Sequence, residues 1–90
     1  MTSRITEISF IIPAFNEQDA VVETILSVDN VLQNTELQYE IIVVNDGSTD
    51  STKRLLNEQS VDRMELLEHP INAGYGAAIK TGLLHAKYSW

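Results

Sequence analysis

The chain has 90 residues, a formal net charge of -7, 43% hydrophobic residues and no cysteine. That is enough for one domain with a thin stability margin, and too apolar for a disordered segment. It excludes a disulfide framework, a thiolate metal site and a basic stripe for nucleic acid, since the six basic residues are scattered.

From the N-terminus, Met-Thr-Ser-Arg-Ile-Thr-Glu lacks the apolar core of a signal peptide, and no apolar run in the chain is long enough to span a membrane. Residues 7–12, EISFII, predict a strand that Pro13 ends. Asn16 is placed to cap the helix that follows, with Asp19 in a capping-box-like position. Val21, Ile25, Val28 and Leu32 recur at helical spacing, which predicts a helix over roughly 18–34 with one buried stripe. The polar NTELQ connects it to a second strand at 40–44. That strand's unbroken apolar run suits a parallel strand buried on both faces. Asp50 or Ser48 would cap a second helix carrying Leu55 and Leu56. A third strand near 63–68 is ended by His69-Pro70. A third helix begins between Gly74 and Ala77, with Ala78, Ile79, Gly82, Leu83 and Ala86 as its packing face.

The order β-α-β-α-β-α predicts an α/β fold with a Rossmann-like parallel sheet. All three strand-to-helix loops then fall at one edge: PAFNEQ, NDGSTD and HPINAGYG. Open α/β sheets bind ligands at that carboxyl edge.

Each loop admits a functional and a bland reading. Asp46, delivered by a buried strand, can accept hydrogen bonds from a base or ribose, or simply belong to an Asn-Asp-Gly turn. Glu17 can contact a nucleotide, or sit at a helix start where the dipole favours a carboxylate. In NAGYGAA the glycines allow close backbone approach to a ligand, or close helix–sheet packing through Gly74, Gly76 and Ala77. His69 and His85 have no companion at metal-ligand spacing and read as non-catalytic, Lys80 as solvated, and Tyr75 as either lining a pocket or packing. The first loop has no glycine, which disfavours a dinucleotide fingerprint; no Walker P-loop, G-x-S-x-G elbow or H-E-x-x-H motif occurs.

Taken together, SFIIPAFNE (9–17), YEIIVVNDGSTDST (39–52) and NAGYGAAIKTG (72–82) resemble the N-terminal part of family 2 glycosyltransferases. The resemblance covers residues 8–90. It is nearest in flavour to the branch of dolichyl-phosphate mannose synthase and bacterial polyprenyl-phosphate hexosyltransferases. It implies the Rossmann-like nucleotide-binding half of a GT-A fold. It also implies that Pro13, Phe15 and Glu17 form the first nucleotide-contacting loop and Val44 and Asp46 the second. Asp46 would accept hydrogen bonds from a uracil or guanine edge. Phe15 stands where a tyrosine is common and Asn45 where many members carry a second aspartate.

The complete enzyme would transfer a hexose from a nucleoside diphosphate sugar to a lipid-phosphate or glycan acceptor, in the cytoplasm or at the cytoplasmic face of a membrane. It would use Mg²⁺ or Mn²⁺, bound by an Asp-x-Asp motif. This chain contains no Asp-x-Asp, and HAKYSW is what typically precedes the strand that carries it. The expectation is therefore that residues 1–90 form a partial, apparently truncated domain supplying base and ribose recognition, without catalytic or metal-binding residues. The alternatives are a non-catalytic nucleotide-binding or interaction module and, less favoured, an unrelated receiver-like domain.

Overall fold

A computed structural model of the protein describes residues 6–59 and 61–88. The N-terminal stretch read against a signal peptide lies mostly outside these residues, as do the last two residues of HAKYSW.

The elements alternate as expected: β1 (Glu7–Ala14), α1 (Val21–Gln33), β2 (Gln38–Asp46), α2 (Thr52–Asn57), β3 (Met64–His69) and α3 (Tyr75–His85). The strands form a parallel sheet in the order β1-β2-β3. β2 is central and buried from Tyr39 to Asp46, which is why its sequence runs apolar instead of alternating. Its side chains divide between two cores. Ile41 and Val43 join Ile12 of β1, Val21, Ile25 and Leu32 of α1, and Leu56 of α2. Ile42 and Val44 pack with Ala78 of α3, against which Ile11 and Leu67 also lie. The sheet is thus covered on one face by α1 and α2 and on the other by α3.

Two boundaries and one packing face differ from the sequence reading in ways that bear on the site. β1 continues through Pro13, which pairs with Val44, to Ala14. A proline fits an outer strand where its missing N–H removes no ladder bond. α1 begins at Val21, and its N-cap position is Ala20, without a side-chain cap. The Asn16 side chain is committed elsewhere, so it cannot cap; the chain enters the helix through a turn in which the Glu17 carbonyl accepts from the Ala20 and Val21 N–H groups. On α3 the packing face is narrower than expected. Ala78 and Gly82 are buried, but Leu83 is 62% exposed. A Cβ at Gly82 would press into the Ile11 side chain, whereas one at Gly74 or Gly76 would meet nothing. Helix–sheet packing therefore explains Gly82 and not Gly74 or Gly76.

Below α3 the chain is tied back to the sheet by a buried carboxylate. Glu40 Oε2 accepts from Ser9 Oγ at 2.6 Å and from the Lys87 N–H at 2.8 Å, and Ser9 Oγ in turn accepts from the Tyr88 N–H.

Candidate functional site at the carboxyl edge of the sheet

The three loops meet where their strands end, and two sets of contacts lace them together. Between the first and second loops the key residue is Asn16. Its backbone lies in the left-handed region, at φ 50°, which asparagine tolerates better than most residues. Its Oδ1 accepts from the Thr49 N–H at 2.8 Å, and its own N–H donates to Ser48 Oγ. The next amide, of Glu17, donates to the fully buried Thr52 Oγ1 at 2.9 Å. Asp50 does organise the start of the second helix, through an Asx-type bond from the Thr52 N–H to Oδ1. Ser48 instead donates to Asn45 Oδ1.

Between the second and third loops the centre is Asp46, with its side chain only 4% exposed. Oδ1 accepts from the Ala73 N–H at 2.9 Å and from His69 Nδ1 at 2.7 Å. Oδ2 accepts from the Gly74 N–H at 2.9 Å and from the Asn72 amide at 3.0 Å. These four donors match the acceptor capacity of a carboxylate. The His69 hydrogen bond, aided by the two backbone N–H groups and opposed by burial, holds the Asp46 carboxyl below the usual carboxylate range. Two glycines allow this closure. Gly47, at φ 69°, passes so near the third loop that a Cβ would run into the backbone of Ile71 and Asn72. Gly74, at φ 102°, turns its N–H towards Asp46.

An open cavity of about 380 Å³ lies between the first and third loops. Pro13, Phe15, Glu17 and Asp46 all line it, so four of the five residues singled out in the sequence come together. The fifth, Val44, is fully buried and packs toward α3. Its side chain offers no surface to a ligand and forms the underlayer, because it sits on a strand covered on both faces. Tyr75, 73% exposed, lines the same cavity, so of its two readings the structure favours the pocket over packing. Asn72 and His69 were missed as site residues. The signal for His69 was present as a parallel register that sets it beside Asp46, but register is not visible along a single strand.

Among the described residues no group of three or more His, Cys, Asp or Glu is placed to hold a metal ion. The described residues do not fit the Mg²⁺ or Mn²⁺ that the resemblance implies. Nor is any helix among them long and apolar enough to cross a membrane.

A Rossmann-like α/β half with its polar residues gathered at the carboxyl edge is the framework of a GT-A nucleotide-binding region. Residues 9–90 match the family model described as Glycosyl transferase family 2, and the chain belongs to that family. It is 36% identical over 86 residues to a dolichyl-phosphate beta-glucosyltransferase of Trichomonas vaginalis, covering 88% of this chain and 26% of that protein. It is 32% identical over 87 residues to an uncharacterized glycosyltransferase, YkcC, of Bacillus subtilis, covering 94% and 27%. It is 32% identical over 84 residues to an undecaprenyl-phosphate 4-deoxy-4-formamido-L-arabinose transferase of Klebsiella pneumoniae, covering 90% and 26%. The chain thus spans about a quarter of the length of the curated relatives it matches.

Proposed function

We propose that the cavity between the first and third loops receives the nucleotide of a nucleoside diphosphate sugar, and that the whole protein transfers a hexose from it to a lipid-phosphate acceptor of the polyprenyl type. One observation carries the reading. The three stretches that resemble the family converge on a single cavity lined by Pro13, Phe15, Glu17 and Asp46. The acceptor class is supported by relatives whose names specify dolichyl and undecaprenyl phosphate, and the same names support work at a membrane surface.

In this reading Pro13 and Phe15 give the apolar wall against which a base rests, and Glu17 stands at the rim. Asp46 meets the polar edge of a uracil or guanine. Since its acceptor sites are already filled, a base N–H takes the place of one existing donor. The Asn72 amide is the one most readily exchanged, because it is a side chain on an exposed residue while the Ala73 and Gly74 donors belong to the backbone. These residues bind and orient; no bond-breaking step is assigned to them.

The test is a titration of the protein with UDP, GDP and NAD⁺. Binding of UDP or GDP without NAD⁺, weakened in Asp46→Asn, supports the reading and names the donor class. Equal binding of all three, or of none by folded protein, overturns it. The lack of a metal-ligand cluster among the described residues favours a second reading, a nucleotide-binding module without turnover. Metal-dependent sugar transfer by the chain alone would exclude that second reading.

A further inference from the structure

His69, the last residue of β3, touches Asp46 of β2 on one side and Thr81 of α3 on the other. It pairs with Asp46 in the parallel register of β2 and β3. Its Nδ1 lies 2.7 Å from Asp46 Oδ1, and its Nε2 lies 2.8 Å from Thr81 Oγ1. A carboxylate can only accept, so Nδ1 carries the proton. In the neutral ring Nε2 then accepts from the Thr81 hydroxyl. The two partners together set ring orientation, and the carboxylate sets the tautomer. The side chain is 18% exposed, so the ring is held within the edge and is not displayed to the cavity, whose lining does not include it.

The consequence reaches the cavity through Asp46. Oδ1 shares its acceptor capacity between His69 and the Ala73 N–H, and Oδ2 holds the Gly74 N–H. With Oδ1 fixed, the plane of the carboxylate is fixed, and with it the backbone from Asn72 to Gly74 that precedes Tyr75. Asn72, Gly74 and Tyr75 are wall residues of the cavity. Without the Nδ1 donor Oδ1 keeps only the Ala73 N–H, and the terminal torsion, soft in aspartate, is held less firmly.

We infer that His69 is a positioning residue for nucleotide recognition. Acting through Asp46, its Nδ1–H helps fix both the carboxylate that meets the base and the loop that walls the cavity, while Thr81 holds the ring's far nitrogen in place. This inference rests on the proposed nucleotide site, and deepens it. It keeps the sequence reading of His69 as non-catalytic and gives the residue a positioning role.

The test compares UDP and GDP affinity in the full-length protein carrying His69→Asn, His69→Gln and His69→Leu, each checked for folding by circular dichroism and thermal melting. The Asn amide can stand near the position of Nδ1, and the longer Gln amide reaches toward that of Nε2. The leucine variant should lose about tenfold or more in affinity, the scale of a hydrogen bond to a charged group. Asparagine should recover most of the loss and glutamine should not. A merely structural role would instead make affinity follow melting temperature, with no preference for asparagine.

A second readout needs no variant. The His69 Nδ1–H resonance of the unsubstituted protein should shift as nucleotide is added. Three unchanged affinities, equal behaviour of asparagine and glutamine, tighter binding in the leucine variant, or a resonance unmoved at saturation would each overturn the inference while leaving the site itself standing. Failure of the unsubstituted protein to bind any nucleotide would overturn the site, and this inference with it.

Discussion

The two junctions that close the carboxyl edge solve the same problem with different materials. The first-to-second junction is made of exposed contacts, from Asn16 to Ser48 and Thr49 and from Gln18 to Asp50 and Ser51, backed by one buried hydroxyl, that of Thr52. The second-to-third junction is made of a buried carboxylate that accepts four hydrogen bonds. Exposed neutral bonds compete with water and contribute modestly, while a buried charge is costly once its partners are taken away. The difference teaches where the site can yield. The exposed bonds of the first junction should break at smaller cost than the buried ones of the second. The second must stay closed for the cavity to have a wall.

Asp46→Ala should be the most damaging change. It strands an imidazole, an amide and two backbone N–H groups at once, and removing one member of a buried charged network costs about 3–5 kcal/mol. Urea unfolding of the variant beside the parent measures it. A loss below about 1 kcal/mol would mean that the two junctions are energetically alike. Gly47→Ala comes next. The position has φ 69° and its Cβ would collide with the backbone of Ile71 and Asn72, so the third loop must move away. A cost of about 2–3 kcal/mol is expected, from the incompatible φ and the displaced loop together. The same variant should weaken nucleotide binding even at temperatures where it is fully folded, since the wall moves with the loop.

Acid should distinguish the junctions without any substitution. The Asp46 carboxyl is held below its ordinary value, chiefly by His69 and then by the Ala73 N–H. A carboxyl whose folded pKa is depressed contributes stability that is fully present above the unfolded pKa of about 3.9. That contribution is lost as pH falls through the lower folded value. Unfolding free energy measured at steps from pH 6 down to 3 should therefore drop below about pH 4. In Asp46→Asn the part of the drop due to this group should be missing. An identical acid profile in parent and variant would break the assignment.

How much of this was legible beforehand follows from which contacts are local. The alternation of elements was readable because the apolar runs and stripes are properties of short windows, as in Ile41–Val44 and Val21–Ile25–Val28–Leu32. The gathering of polar loops at one edge followed from the parallel order. The role of Asn16 was misread because a cap and a loop-to-loop bond call for the same side chain, and only the distance to Thr49 separates them. The glycines of the third loop kept two readings, ligand approach and packing, for a similar reason. Positive φ at Gly74 and open space at Gly76 are not visible in a sequence, nor is it visible that Gly82 carries the packing. His69 was set aside because its partners, Asp46 and Thr81, lie 23 and 12 residues away.

The mildest change sharpens the comparison most, because it separates two contributions at one residue. Asn16 supplies side-chain bonds to the second loop and also tolerates φ 50°. Asn16→Gly keeps the backbone conformation and removes the bonds, and Asn16→Ala removes both. Exposed neutral bonds contribute about 0.5–1.5 kcal/mol, so the glycine variant should fall at or below the low end of that range. The alanine variant should fall about 1 kcal/mol further, the cost of the left-handed region for a residue with a Cβ. Thermal unfolding of the pair measures the gap. If the glycine variant already loses as much as Gly47→Ala, the first junction is not the yielding one.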